Sequence, residues 1–202
     1  TVNSKEAIAA TDFLKKLMTV SPKGASTANS DEVTSKFLGE NIGAMINYSG
    51  YYGSVLDKTI NKNEGKIGTA PMPKGSADIT HLAGWNIGIP KDAKNPAAAW
   101  KFLEYVLGKS NAKAYLESGA AAIGRKSITT DADLLAKFPY LAQLEIPSSS
   151  RIERYPQIAV WPEFEVAAID AVTQVLNGKS DSTKAMSALN EKLKPILAKE
   201  PK

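Results

Sequence analysis

The side chains best suited to chemistry in this sequence are aromatic rings in polar surroundings. Tyr51, Trp85 and Trp161 stand in loop-like segments or at strand ends, and Tyr52 and Tyr155 share that setting. A ring offers apolar area with a polar edge, so rings in such segments are typical of recognition surfaces for small molecules. The pattern favours ligand binding, while for Tyr51 and Trp85 simple packing in a core is an equal alternative.

Two carboxylates flank Phe164 close to Trp161. Glu163 and Glu165 stand at the start of a predicted helix, where they can accept hydrogen bonds from ligand hydroxyls. Acidic residues in a first helical turn are also favoured by the helix dipole alone. A pair of carboxylates is the machinery of glycoside hydrolysis as well. Residues two positions apart on a helix point in different directions, which argues against that chemistry.

The residues that cysteine-based and multi-histidine chemistry needs are missing from the sequence. There is no Cys and a single His, His81. Disulfides, a thiolate nucleophile, a cysteinyl zinc site and any site with two imidazoles are therefore excluded. Two Gly-Lys-Ser triplets lack the upstream glycine of a phosphate loop and follow predicted helices, so we interpret them as helix ends. We expect no enzymatic activity, no cofactor and no bound metal.

Composition places the chain among ordinary globular proteins. Of its 202 residues, 43% are hydrophobic and 23% charged, which argues against disorder. The 25 Lys and Arg and the 21 Asp and Glu are interspersed, with a net charge of +4. Because nucleic-acid binders concentrate basic residues in a stripe, we expect no nucleic-acid partner. No apolar run approaches the ~18 residues that a membrane span needs.

Helices dominate the elements that must position these residues. Apolar residues recur at helical spacing between capping signals, which predicts helices over 4–20, 32–38, 96–107, 110–119, 131–143, 162–177 and 182–197, and a short helix near 55–56. Apolar runs and alternation predict strands over 42–46, 66–72 and 82–89. Together they predict an α/β chain. Three strands are few for a complete sheet, so we expect further sequence upstream.

An ordered series of segments carries a family resemblance. They are FLGENIGAMINYSGYYGS (37–54), IGTAPMPKG (67–75), LAGWNIGIPKDAKNPAAAWKFLEYVLG (82–108), AAIGRKSI (121–128) and PQIAVWPEFEVAAIDAVTQVLNGKS (156–180). In this order and at similar spacing, they resemble the C-terminal half of a family 1 extracellular solute-binding protein of an ABC transporter. The most similar branch binds sugars and includes maltose-binding protein.

The resemblance implies a fold and a division of the chain. The fold is the type II periplasmic-binding-protein fold, an α/β architecture of two lobes, here without most of the N-terminal lobe. Residues 1–81 and 125–202 would build the second, C-terminal lobe, and 82–124 would belong to the first lobe. The export signal would lie upstream.

The resemblance also suggests roles for individual residues. Tyr51 matches a position where sugar binders place a stacking ring. Trp85, the first candidate, stands in a strand whose start faces the cleft between the lobes. Arg125 falls in the Pro-x-Arg segment of the family, from which this sequence departs because Gly124 precedes the Arg and no Pro is present. Further candidates for ligand contacts are Tyr52, Tyr155, Trp161 and Glu163.

The function that follows from the resemblance is transport. The protein would be the substrate-binding component of an ABC importer, holding a sugar or oligosaccharide in the cleft while the lobes close by a hinge motion. Its partners would be that carbohydrate and the membrane subunits of the permease. We expect a monomer at full length, located outside the cytoplasm, either in the periplasm or lipid-anchored at the outer face of the cell membrane.

Three alternatives remain open. The adjacent Tyr51 and Tyr52 resemble the tyrosinate pair of ferric-ion receptors built on the same scaffold. An enzyme acting on glycosides would use Glu163 and Glu165 as its paired carboxylates. A helical protein-interaction module without a small ligand would expose an apolar patch instead of a cleft.

Overall fold

The computed structural model describes residues 1–39, 42–63, 65–75, 77–119, 124–144 and 151–201. Within these ranges the α-helices are α1 (Lys5–Leu17), α2 (Ser30–Gly39), α3 (Tyr52–Leu56), α4 (Pro96–Val106), α5 (Lys109–Glu117), α6 (Lys126–Thr129), α7 (Ala132–Lys137), α8 (Trp161–Leu176) and α9 (Ser182–Leu197). Short 3₁₀-helices cover Ala25–Thr27, Ser49–Tyr51 and Pro139–Leu144. Two strands, β1 (Ile79–His81) and β2 (Arg151–Glu153), pair in parallel.

The chain divides into two compact units. The first unit combines Thr1–Asn29 with Tyr155–Lys202, and the second unit is Ser30–Arg154. No helix in the described part of the chain has the length and apolar character that crossing a membrane requires.

The first unit is built on the contact between α8 and α9, against which α1 packs. The buried residues of α8 recur every four positions, which places them on one face of the helix, and α9 presents a matching stripe. The residues of this helical core are Ala167, Ala171, Val175, Ala185, Met186, Leu189 and Leu193.

Local signals fix the ends of these helices. The Ser4 hydroxyl accepts the Ala7 N–H at 3.2 Å, and the Asp181 carboxylate accepts the Lys184 N–H at 2.8 Å, so each caps the first turn of its helix. Gly178 follows α8 with a φ of 72°, a conformation that residues with a Cβ rarely adopt. The buried Ser182 donates to Asp12 at 2.5 Å, which ties α9 to α1.

The core of the second unit lies around α5, α6 and α7. It consists of Ala112, Leu116, Ile128, Leu134, Phe138, Tyr140 and Leu141, with Tyr52 packed against it. This cluster joins residues from both sides of position 124. The assignment of 82–124 to a first lobe stays a prediction.

The predicted helices form, except that the one predicted over 131–143 is divided into α7 and the 3₁₀-helix Pro139–Leu144. The predicted strands are wrong. Residues 42–46, 66–72 and 82–89 adopt no strand, and the strands observed are β1 and β2. Apolar alternation indicates a face that suits burial, whereas a strand also needs a neighbour with which to pair. The predicted loop at 147–150 and residues 121–123 of the family segment lie outside the described residues.

Helix α4 forms as predicted, yet its apolar stripe is not buried. None of its residues is buried, and Trp100, Phe102 and Tyr105 are all more than half exposed. In the preceding segment Trp85 and Ile87 are exposed as well. The second unit therefore carries a large apolar surface around α4.

Truncation of Leu189 tests the helical core of the first unit. Leu189→Ala should lower the free energy of unfolding by about 2–5 kcal/mol, because it leaves a cavity between α8 and α9. Leu197→Ala, on the same helix but 44% exposed in the wild type, should cost less than about 1 kcal/mol. Urea unfolding followed by circular dichroism measures both. Equal losses in the two variants would contradict the assignment of the core.

Candidate functional site

Three aromatic rings line up at the start of α8. The centroids of Tyr155 and Trp161 lie 5.3 Å apart with the planes tilted by 55°, and those of Trp161 and Phe164 lie 5.3 Å apart at 20°, a stacked arrangement. Phe164 packs against the helical core of the first unit. This aromatic row is therefore anchored at one end in the core, while Tyr155 at the other end is 41% exposed.

The local sequence explains why these rings meet. Trp161 and Phe164 are three positions apart in α8 and so lie on the same face of the helix. Pro162 fits the first turn because its missing N–H would have no helical partner there. Val160 forms no side-chain cap. Instead, the carboxylate of Glu200 accepts the N–H groups of Ala159 at 2.9 Å and Val160 at 3.1 Å.

An ion pair lies beside the aromatic row. Glu163 in the first turn of α8 contacts Lys199 at 2.5 Å, and both side chains are about half exposed. An exposed pair of this kind contributes little to stability, about 0–1 kcal/mol. The ion pair does compensate the charge of Glu163, the predicted site carboxylate, and it orients the Glu163 side chain toward Lys199.

Tyr51 lies in a polar cluster of the second unit. Partial burial raises the pKa of Tyr51, and the Asp31 carboxylate, to which the phenol donates, raises it further. Asn47 holds the neighbouring backbone in place, because its amide donates to the Ser30 carbonyl and to the Thr34 hydroxyl, each at 3.0 Å. A raised pKa opposes the tyrosinate form that a ferric ion requires.

Tyr52 and Arg125 have partners within the second unit. The Tyr52 ring stacks on Tyr140 with centroids 4.1 Å apart and an angle of 28° between the planes. The Arg125 guanidinium donates to the Leu107 carbonyl at 2.9 Å, next to the C-terminus of α4. Both residues thus have a packing or capping role whether or not a ligand binds.

Trp85 is fully exposed. It belongs to a segment without secondary structure, and a Cβ added at the adjacent Gly84 would meet open space. The alternative that Trp85 continues a core does not hold in the second unit. Its ring surface is available for contact.

The structure sorts the predicted site residues into two groups. Tyr155, Trp161 and Glu163 come together in the first unit, while the second unit holds Tyr51, Tyr52, Trp85 and Arg125. The sequence analysis missed Lys199 and Glu200 altogether. No local signal points to them, because their partners lie 36 to 41 positions away. The role of Phe164 is detectable from its helical spacing to Trp161.

A groove of about 590 Å³ in the second unit runs between 42–47 and 66–73. Ile42, Met45, Ile67 and Met72 are among its lining residues, and none of the predicted site residues lines it. For metal binding, the described part of the chain contains no group of three or more Asp, Glu or His side chains arranged to hold an ion.

Comparison with known proteins defines the class. A sequence model of the bacterial extracellular solute-binding proteins matches residues 1–113. Because this match covers more than half of the chain, the protein belongs to that family, as the resemblance in its sequence predicts.

Individual relatives agree with this assignment. A probable ABC transporter-binding protein from Deinococcus radiodurans is 24% identical over 201 residues, which are 97% of this chain and 48% of the relative. A probable amino-acid ABC transporter periplasmic-binding protein from Sinorhizobium fredii is 23% identical over 92% of this chain and 42% of its own length. The chain thus spans about half the length of the curated relatives it matches.

Two solved structures establish the fold. An ABC transporter solute-binding protein from Agrobacterium radiobacter K84, in complex with ribitol, superposes with a TM-score of 0.80 and 27% identity, covering 97% of this chain and 51% of that one. Maltose-bound MalE3 from T. maritima gives a TM-score of 0.82 at 22% identity over 96% and 51%. The predicted fold class, a periplasmic-binding-protein-like α/β architecture, is confirmed over about half of those proteins.

The polar cluster around Tyr51 generates a prediction about proton affinity. Asp31→Asn should lower the pKa of Tyr51 toward the ordinary value of a tyrosine, because the variant removes a negative charge that disfavours the phenolate. A pH titration of the tyrosine ring carbons by NMR measures the shift, with Tyr51→Phe identifying the resonance. An unchanged or higher pKa in Asp31→Asn would contradict the contact.

Proposed function

We propose that this protein is the substrate-binding component of an ABC importer and that it binds a sugar or polyol through the aromatic row. The observation that carries the proposal is that row, Tyr155, Trp161 and Phe164, anchored in a core and flanked by Glu163 in a chain of the solute-binding family. The protein acts by binding and release, without turnover.

The chemistry of the row suits polyhydroxylated ligands. Aromatic rings stack on the apolar C–H faces of a sugar, and a carboxylate accepts charge-assisted hydrogen bonds from its hydroxyls. Glu163 is already paired with Lys199, so the row offers no uncompensated charge to a charged ligand. A neutral ligand fits best, and the ribitol complex of the Agrobacterium relative supports the same class.

Within this proposal, Trp161 and Tyr155 supply the stacking surface and Glu163 the acceptor. Trp85 and Tyr51, which lie in the second unit, stay proposed ligand contacts on the basis of the sequence, and the full exposure of Trp85 supports its role. Tyr52 and Arg125 are retained as proposed ligand contacts of lower rank, since each already has a partner within the second unit.

The two alternatives based on chemistry have less support. A ferric-ion site needs phenolates, whereas the pKa of Tyr51 is raised and the Tyr52 ring stacks on Tyr140. A glycoside-active enzyme needs two carboxylates that face one bond. Glu163 and Glu165 lie two positions apart on α8, and Glu163 is paired with Lys199.

The proposal extends to location, partners and lobes. The protein works outside the cytoplasm, hands its ligand to the membrane subunits of a permease and is a monomer at full length. The exposed apolar residues of α4 and of 82–89 support the assignment of 82–124 to the first lobe, with 1–81 and 125–202 in the second. Ala112 and Leu116, in contrast, pack with residues beyond position 124. Closure of the lobes over the ligand would be the state that the permease recognises.

Truncation of the central ring tests the function. Trp161→Ala should weaken ribitol or maltose binding by about 30-fold or more, the loss of about 2 kcal/mol that central aromatic contacts supply. Trp100→Ala, which removes a ring of the same type that is 57% exposed on α4, should leave the affinity unchanged. Isothermal titration calorimetry measures both variants against a panel of sugars, polyols and amino acids.

Three results would count against the proposal. These are binding of amino acids with no affinity for any sugar or polyol, hydrolysis of a glycoside by the pure protein, and equal affinity in Trp161→Ala and wild type.

A further inference from the structure

The turn that follows α9 holds the start of α8 from both sides of Trp161. Before Trp161, the Glu200 carboxylate accepts the N–H groups of Ala159 and Val160 at 2.9 and 3.1 Å. After Trp161, the Lys199 ammonium contacts Glu163 at 2.5 Å. The consecutive residues Lys199 and Glu200 thus both contact the segment that carries the aromatic row.

We infer that Glu200 is a positioning residue for the aromatic row, acting through the backbone of Ala159 and Val160 without touching the ligand. The inference rests on the proposed function of that row in binding a sugar or polyol. It adds a residue outside α8 on which the order of the Trp161 and Tyr155 rings before ligand binding depends.

The Glu200 contact gives the segment between β2 and α8 a bond to an element distant in sequence. Residues 154–158 have no regular secondary structure, and 159–160 form a turn. The Trp161 N–H donates to the Ile158 carbonyl at 3.1 Å, and the Gln157 side chain donates to the Tyr155 carbonyl at 3.3 Å. Both are local bonds, whereas Glu200 connects the segment to an element 40 residues away.

The Glu200 contact is charge-assisted. A carboxylate that accepts two adjacent N–H groups forms hydrogen bonds that are stronger than neutral ones and restrict direction as well as distance. Fixing Ala159 and Val160 limits where the Tyr155 ring lies against Trp161. A ring that is ordered before the ligand arrives loses less entropy on binding, so positioning is expressed as affinity.

Glu200 lies outside the helical core of the first unit. The buried stripe of α9 ends at Leu193, and Glu200 lies beyond the last residue of that helix. Its removal should therefore affect the order of the row much more than the unfolding of the first unit. This difference separates a positioning role from a structural one.

The experiment compares Glu200→Ala, Glu200→Gln and a control in the same region, Glu191→Gln. Glu191 lies on α9 and pairs with Lys194 at 2.6 Å, so its variant also loses a charge and an ion pair. Ribitol and maltose affinities are measured by calorimetry in the otherwise unchanged chain. Acrylamide quenching without ligand is measured in a Trp85→Phe, Trp100→Phe background, where Trp161 is the remaining tryptophan. Urea midpoints are recorded for every variant.

We expect Glu200→Ala to weaken binding of the better of the two probes by about tenfold and to raise the quenching constant of Trp161, with an almost unchanged urea midpoint. Glu200→Gln keeps one acceptor oxygen and should restore part of both effects. Glu191→Gln should match the wild type in all three measurements.

The readouts separate the failure of this inference from the failure of the proposed function. If the wild type binds neither probe nor any other sugar or polyol of the panel, the proposed function fails, and the quenching of Trp161 still decides whether Glu200 orders the row. Unchanged quenching in Glu200→Ala would overturn the positioning role. So would a loss of affinity fully accounted for by a fall in the urea midpoint.

Discussion

Burial of the facing stripes of α8 and α9 is the interaction on which the proposed site depends. Each large apolar side chain removed from water there contributes about 1.5–3 kcal/mol, and small residues such as Ala167 and Ala171 let the two helices approach. Phe164 packs onto this core one turn after the start of α8 and supports Trp161. Without the helix pair, Phe164 would have no core to pack against, and the rings of the aromatic row would move independently.

Sequence reasoning succeeds here where the signal is local. The spacing of apolar residues, the Asp181 cap and the glycine at 178 each act within one or two turns, and the helices they predict are confirmed. The strands failed for the opposite reason. The runs at 42–46, 66–72 and 82–89 have suitable composition, but strand formation depends on a neighbour distant in sequence, which no single segment specifies.

The same limit applies to the candidate site. Trp161 and Glu163 stand out from residue type and helical position, whereas Lys199 and Glu200 are ordinary charged residues whose roles arise from contacts across 36 to 41 positions. Tyr52 and Tyr51 are adjacent and identical in type. Tyr52 stacks on Tyr140, whereas Tyr51 donates to Asp31. This difference in environment arises only from the packing of segments distant in sequence.

Exposure alone does not distinguish a binding ring from an unpaired one. Trp85 and Trp100 are both exposed, and among the ring contacts of the described residues neither takes part in an aromatic pair, whereas Trp161 is paired with a ring on each side in sequence. A ring on an unsupported segment must be ordered when a ligand binds, and that ordering lowers the affinity. A ring held by Phe164, and by a backbone tied to Glu200, has lost that freedom in advance. The contacts of Trp161 with Phe164 therefore rank it ahead of Trp85 as the proposed centre of ligand recognition, although the sequence pattern alone favours Trp85.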